Sequence, residues 1–193
     1  MFALLTPSVA ALLLAVLQRR SLEPVTRLRI AAWPLGLAAF ATELALTSTP
    51  LGQHQLGIIW GPVVWVLALT TMALVLGRNA WLSSSPSRWA WMVAGLGVLL
   101  NVMVVVANGG YMPQSQEARI AAGASVERVA GLASEPGWRN VAPMTDESRL
   151  TWFGDVLPEP AWLPLHNVMS VGDLLLASGI AAILYLTTTP RRR

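Results

Sequence analysis

Two carboxylic acids, Glu43 and Asp173, stand inside otherwise apolar runs of this sequence. In hydrocarbon a carboxylate costs on the order of several kcal/mol, so an acid in such a place tends to mark function. If both runs cross a membrane in the directions argued below, Glu43 and Asp173 fall in its outer half. Asn101 then lies at a similar depth, with Asn108, His166 and Asn167 just above. Together with Asp155 in the polar segment before them, Glu43, His166 and Asp173 could converge on an outward-facing pocket for a lipid headgroup, an ion or a partner. Asp155, His166 or Asp173 could instead supply acid, base or ion contacts to a reaction at the outer surface. Asp155, His166 and Asp173 are metal donors by type, but their spacing is not that of a metal motif, so no metal and no cofactor are expected. The competing expectation is structural: Asp173 caps the last helix, His166 is interfacial, and Glu43 snorkels to water.

Other chemistries find less support. Gly109 and Gly110 permit a sharp turn and Asn108 can cap the helix end before them. Two glycines without a preceding strand and a following helix are not a phosphate cradle. Only His54 and His166 could serve as a catalytic imidazole, and no Gly-x-Ser-x-Gly elbow accompanies them. With no cysteine, thiolate metal sites, disulfides and a cysteine nucleophile are excluded.

The elements that must position these residues follow from composition. Of 193 residues, 54% are hydrophobic and 12% charged, where a soluble domain would carry about 25% charge. Apolar runs at Phe2 to Leu17, Ile30 to Thr47, Gly57 to Leu76, Trp89 to Ala107 and Val168 to Leu186 approach the length of a membrane span. The expected architecture is an all-α, polytopic membrane protein of about five transmembrane helices, a single membrane domain over residues 1–193. An outer cap, residues 108–167, is inserted between the fourth and fifth helices.

Charge sets the direction. All thirteen basic residues are arginine, and they sit in short loops, which points to membrane orientation and not to nucleic acid. The first run ends in Gln18-Arg19-Arg20, the reverse of a secretory signal, and so reads as an uncleaved helix. Arg19, Arg20, Arg27, Arg29, Arg78, Arg88 and Arg191 to Arg193 share one side. Arg119, Arg128, Arg139 and Arg149 lie in the cap among seven acids. Nine against four predicts a cytoplasmic C-terminus, an outside N-terminus and a location in the cell membrane. Arg78 to Arg88 is expected to be a helix-breaking cytoplasmic loop, and Trp33, Trp60, Trp81, Trp89 and Trp91 fall near span ends, where indole is favoured.

The cap is too long for a simple turn. Ser115 can start one short helix and Ser125 another. Its two ends carry the more specific patterns: Asn108-Gly109-Gly110-Tyr111-Met112-Pro113, then Gly154-Asp155-Val156-Leu157-Pro158, then His166-Asn167 and Ser170-Val171-Gly172-Asp173. This order resembles the bacterial multi-pass membrane family called domain of unknown function 5317, from the fourth span onward. The resemblance implies the membrane architecture and singles out these positions, and it implies no activity, substrate or cofactor.

The function expected from these features is that of a non-enzymatic scaffold or accessory subunit that binds a membrane-protein partner or a lipid headgroup at its outer face. An enzyme acting on a lipid-linked or polar substrate at that surface is the alternative. A channel or carrier component ranks third, because the inner halves of the spans offer little polarity beyond Thr70 and Thr71.

Overall fold

The computed structural model describes residues 2–48, 50–132, 139–163 and 167–190. Helix α1 (Phe2–Leu17) ends where Arg19 turns into the left-handed region, and β1 (Arg20–Ser21) and the single turn α2 (Glu23–Thr26) follow. Helix α3 (Trp33–Ser48) starts three residues later than hydropathy alone predicts. The delay has a tertiary cause. Asn79 of the next helix binds both backbone groups of Ala31, accepting from its N–H at 2.8 Å and donating to its carbonyl at 3.0 Å, and Ala32 is left-handed at φ 58°.

After a 3-10 turn over Pro50–Gln53, His54 caps α4 (Gln55–Leu82) through its ring nitrogen. Helix α4 corrects the expected loop at Arg78 to Arg88, since helix continues to Leu82. Residues 78–82 contain no glycine or proline; the breakers begin at Ser83, leaving a short link to α5 (Ser87–Ala107). With 28 and 21 residues, α4 and α5 extend about 42 Å and 32 Å at 1.5 Å per residue. These two are long and apolar enough to cross a membrane. Helix α1 and the last helix are shorter, at 16 and 17 residues.

The chain is mostly helical, but the cap adds short backbone pairings that composition does not announce. Asn108 closes α5: its amide nitrogen donates to Val104 and Arg149 carbonyls at 2.7 and 2.9 Å, and its oxygen accepts from Arg149 N–H at 2.8 Å. Gly110 then turns with φ +93° directly against Pro62 of α4, where a Cβ would collide. Strand β2 (Met112–Gln114) leads to α6 (Gln116–Ala121), which Ser115 caps by accepting from Ala118 N–H, and to α7 (Val126–Leu132). Strand β3 (Val141–Pro143) returns parallel to β2, and a 3-10 turn over Thr151–Phe153 precedes β4 (Leu157–Pro158). Antiparallel β5 (Val168–Met169) runs straight into α8 (Val171–Thr187).

The main helix contacts run α3–α4, α4–α5, α5–α8 and α8–α1, so the five long helices form a row. Small residues bring α5 and α8 closest. A Cβ on Gly97 would lie 2.6 Å from the backbone nitrogen of Leu176, and one on Gly179 would lie 2.5 Å from that of Ala94. Backbone-to-backbone approach of this kind favours packing where lipid and side chain are equally apolar. Finally β6 (Thr189–Pro190) pairs antiparallel with β1. Beside it Arg20 donates to the Thr188 hydroxyl and carbonyl, both at 2.6 Å, with its guanidinium 4.8 Å from the Tyr185 ring centre.

Candidate functional site

Helices α3 and α8 flank the α4–α5 face without packing as a main pair, and the space between them, roofed by the cap, is a cavity of about 490 Å³. Its lower wall is apolar: Phe40 and Leu44 of α3, Ala68 and Met72 of α4, Val98 of α5 and Leu176 of α8. Phe40 and Leu44 are each 46% exposed, so the wall opens sideways to the perimeter of the bundle. The upper end is polar, with Glu43, Asn101, Gln114, Arg119, Asp155 and Asp173 reaching it from five elements and the turn after the cap's 3-10 helix.

Each polar side chain has an identifiable positioning device. Ser170 caps α8 by accepting from Asp173 N–H at 2.9 Å, and Asp173 Oδ2 accepts from Ser170 N–H at 3.0 Å, a reciprocal capping box. Asp173 is therefore in the first turn of α8, not two turns deep as the apolar run suggests, because Val168 and Met169 are used in β5. Its other oxygen accepts from Asn101 Nδ2 at 2.9 Å, while Asn101 Oδ1 accepts from the fully buried Ser170 hydroxyl, also at 2.9 Å. Gly172 allows this, since a Cβ there would overlap the Asn101 side chain.

Asp155 is held from both sides. Its N–H donates to Pro113 O at 2.9 Å and its carbonyl accepts from Ser115 N–H, while Val156 N–H donates to Met169 O at 3.1 Å. Gly154 permits the approach, because a Cβ would meet the Pro113 carbonyl at 2.5 Å. Asp155 is 7% exposed, and its carboxyl accepts from Gln114 Nε2 at 3.1 Å. Burial first, and the neighbouring Asp173 next, push its pKa up to about 8, against the opposing pull of Gln114 and Arg119. Gln114 Oε1 in turn accepts from Arg119 Nη1 at 2.6 Å. Burial lowers the Arg119 pKa, with the nearby charges of Arg128 and Arg139 adding to the effect.

Of the residues singled out from sequence, Glu43, Asn101, Met112, Asp155, Asn167 and Asp173 line this one cavity. Glu43 shares its wall with Trp65. Asn108, Gly109, Gly110, Pro113, Gly154, Ser170 and Gly172 shape the backbone around it, and Tyr111 packs on a cluster of Trp65, Val104, Val105 and Met112. His166 lies outside the described residues. Sequence reasoning missed Gln114 and Arg119, which no motif marks. Among the described residues no group of three or more metal-type side chains gathers closely enough to hold an ion.

Residues 27–185 match the model of a family described as a family of unknown function, DUF5317. No curated protein and no solved structure matches.

Proposed function

Because the chain belongs to the family of unknown function DUF5317, which carries no activity over to it, we propose its function from the cavity: a five-span membrane protein that binds a lipid-like amphiphile at its outer face. One observation carries this reading. The cavity is polar at the cap and apolar along α3, α4 and α8, and it opens sideways where Phe40 and Leu44 are half exposed. That is the shape of a site entered from a bilayer, with a headgroup under the cap and a chain in the groove.

The membrane setting has its own support. Large apolar side chains are exposed around the bundle, among them Leu13, Leu37, Leu67, Leu74, Leu96 and Met103, which in water would form an unusually large apolar surface. Helices α1, α3 and α8 are short for a core of about 30 Å; Ile30 to Ala32 before α3 and Val168-Met169 before α8 extend the apolar stretch, and local thinning of the bilayer accommodates modest mismatch. Under the arginine bias, α1 starts outside, the cap is outside and the C-terminus is cytoplasmic. Alkaline phosphatase fused after Arg193 should be inactive and fusions within the cap active; the reverse pattern overturns the orientation.

The binding reading is tested by extracting the tagged protein in mild detergent and measuring co-purified lipid by mass spectrometry. Wild-type protein should retain lipid stoichiometrically, and Ala68→Trp, which fills the groove from α4, should lose it while remaining folded. Lipid absent from wild type, or unaffected by Ala68→Trp, overturns the proposal. A stoichiometric protein partner in place of lipid would favour an accessory subunit instead.

A further inference from the structure

Gln114 separates an acid from a base. Its amide nitrogen donates to Asp155 and its oxygen accepts from Arg119, so the carboxyl and the guanidinium stand side by side on one wall, each engaged with the spacer and not with the other. An Asp and an Arg this close would ordinarily pair directly, with bidentate geometry. Keeping them apart leaves each with capacity for something else. Among the described residues, Arg119 Nε is buried with no hydrogen-bond partner. Such a donor is costly to leave unmet, and the Arg119 side chain lines the cavity. On the acid side Glu43 and Asp173 face the same space.

The two halves ask for opposite charges. Glu43, Asp155 and Asp173 present several carboxyl oxygens to one corner, acceptors suited to a cation with several N–H donors. Arg119 offers a planar fork suited to an oxyanion. Resting on the lipid-binding reading above, we propose that the cavity selects a zwitterionic headgroup carrying a phosphate and a primary ammonium close together, as in a phosphatidylethanolamine. The phosphate lies against Arg119, the ammonium against Asp155 and its neighbouring acids, and Gln114 sets the spacing between them. The apolar groove receives the chain.

The test uses the full-length protein in detergent, titrated with four probes: short-chain phosphatidylethanolamine, phosphatidylglycerol with the same chains, a long-chain alkylamine and soluble phosphoethanolamine. The first should bind at least about tenfold tighter than each of the others, the gain expected of one charge-assisted contact. Arg119→Gln should bring phosphatidylethanolamine down to the level of the alkylamine without weakening the alkylamine, and Arg119→Lys should restore part of the difference. Phosphatidylglycerol binding as well as phosphatidylethanolamine overturns the headgroup inference while leaving the lipid reading intact. Equal affinity for soluble phosphoethanolamine overturns the lipid as the source. If none of the four binds, the lipid reading fails with it.

Discussion

Asn101 on α5 and Asp173 on α8 are joined by a 2.9 Å hydrogen bond, and through it the first turn of the last helix is fixed to the neighbouring helix at the level of the cavity. Asn101 serves both cap residues at once, donating to Asp173 and accepting from Ser170. Replacing it with leucine leaves a buried hydroxyl and a carboxyl oxygen without their partner. The expected cost is roughly 1–3 kcal/mol, seen as a lowered midpoint of thermal unfolding in detergent. Ser170→Ala should cost about 1 kcal/mol as a lost cap. The double variant should cost less than the sum, since both remove the same hydrogen bond.

The contact between α5 and α8 should tolerate no added carbon. Gly172→Ala sets a Cβ against the Asn101 side chain and the Gly97 carbonyl, and Gly179→Ala drives one into the backbone of Ala94. Overpacking of this kind costs typically about 1–3 kcal/mol, and here the obstacle is largely backbone. Both variants should accumulate poorly. Gly77→Ala, with nothing within 4 Å of the new carbon, should accumulate normally; equal yields of all three would refute the close approach.

Stability should depend on pH through Asp155. Its folded pKa, near 8, is raised above the ordinary aspartate value of about 3.9, so the folded protein holds this proton more tightly than the unfolded chain does. The contribution to stability is greatest below pH 4 and is lost as pH rises towards 8, at up to about 1.4 kcal/mol per pH unit. Asp155→Asn cannot ionise. The variant should gain on wild type in thermal midpoint as pH rises from 5 to 8, and a constant difference across that range would contradict the buried, protonated carboxyl.

The tie between the two ends of the chain rests on Arg20. Lysine could replace its charge, but not the simultaneous bonds to the Thr188 hydroxyl and carbonyl made while the guanidinium lies over the Tyr185 ring. Arg20→Lys should increase protease cleavage between α1 and α3 in solubilised protein, and Tyr185→Phe, which keeps the ring, should do so less.

Much of this arrangement is local and therefore visible in the residues themselves. Ser115 announces α6, Asn108 with Gly109 and Gly110 announces the end of α5, and the apolar runs place all five long helices. Two signals were present but harder to weigh. Ser170-Val171-Gly172-Asp173 has the spacing of a capping box, yet the apolar Val168 and Met169 before it make the helix look longer. Ala90, Ala94, Gly97 and Asn101 form a stripe of small and polar residues at helical spacing, the mark of a close helix contact. The pairing of Gln114 with Asp155 and Arg119 had no such signal. It depends on β2 meeting β3 and Asp155 across 29 and 41 residues, and no periodicity encodes a register set by tertiary contact.

The row of helices also has an order of assembly written into it. Helix α1 is made first, but its principal neighbour is α8 and its tether at Arg20 closes on Thr188, 168 residues later. In the five-span arrangement proposed above, α1 would wait in the bilayer with its packing face turned to lipid, while α3, α4 and α5 pair with their sequence neighbours as they emerge. On that reading, insertion and completion are separate events. A truncation that stops before α8 should leave the first helix inserted but loosely held, free to drift from the rest of the bundle and open to capture by other membrane proteins.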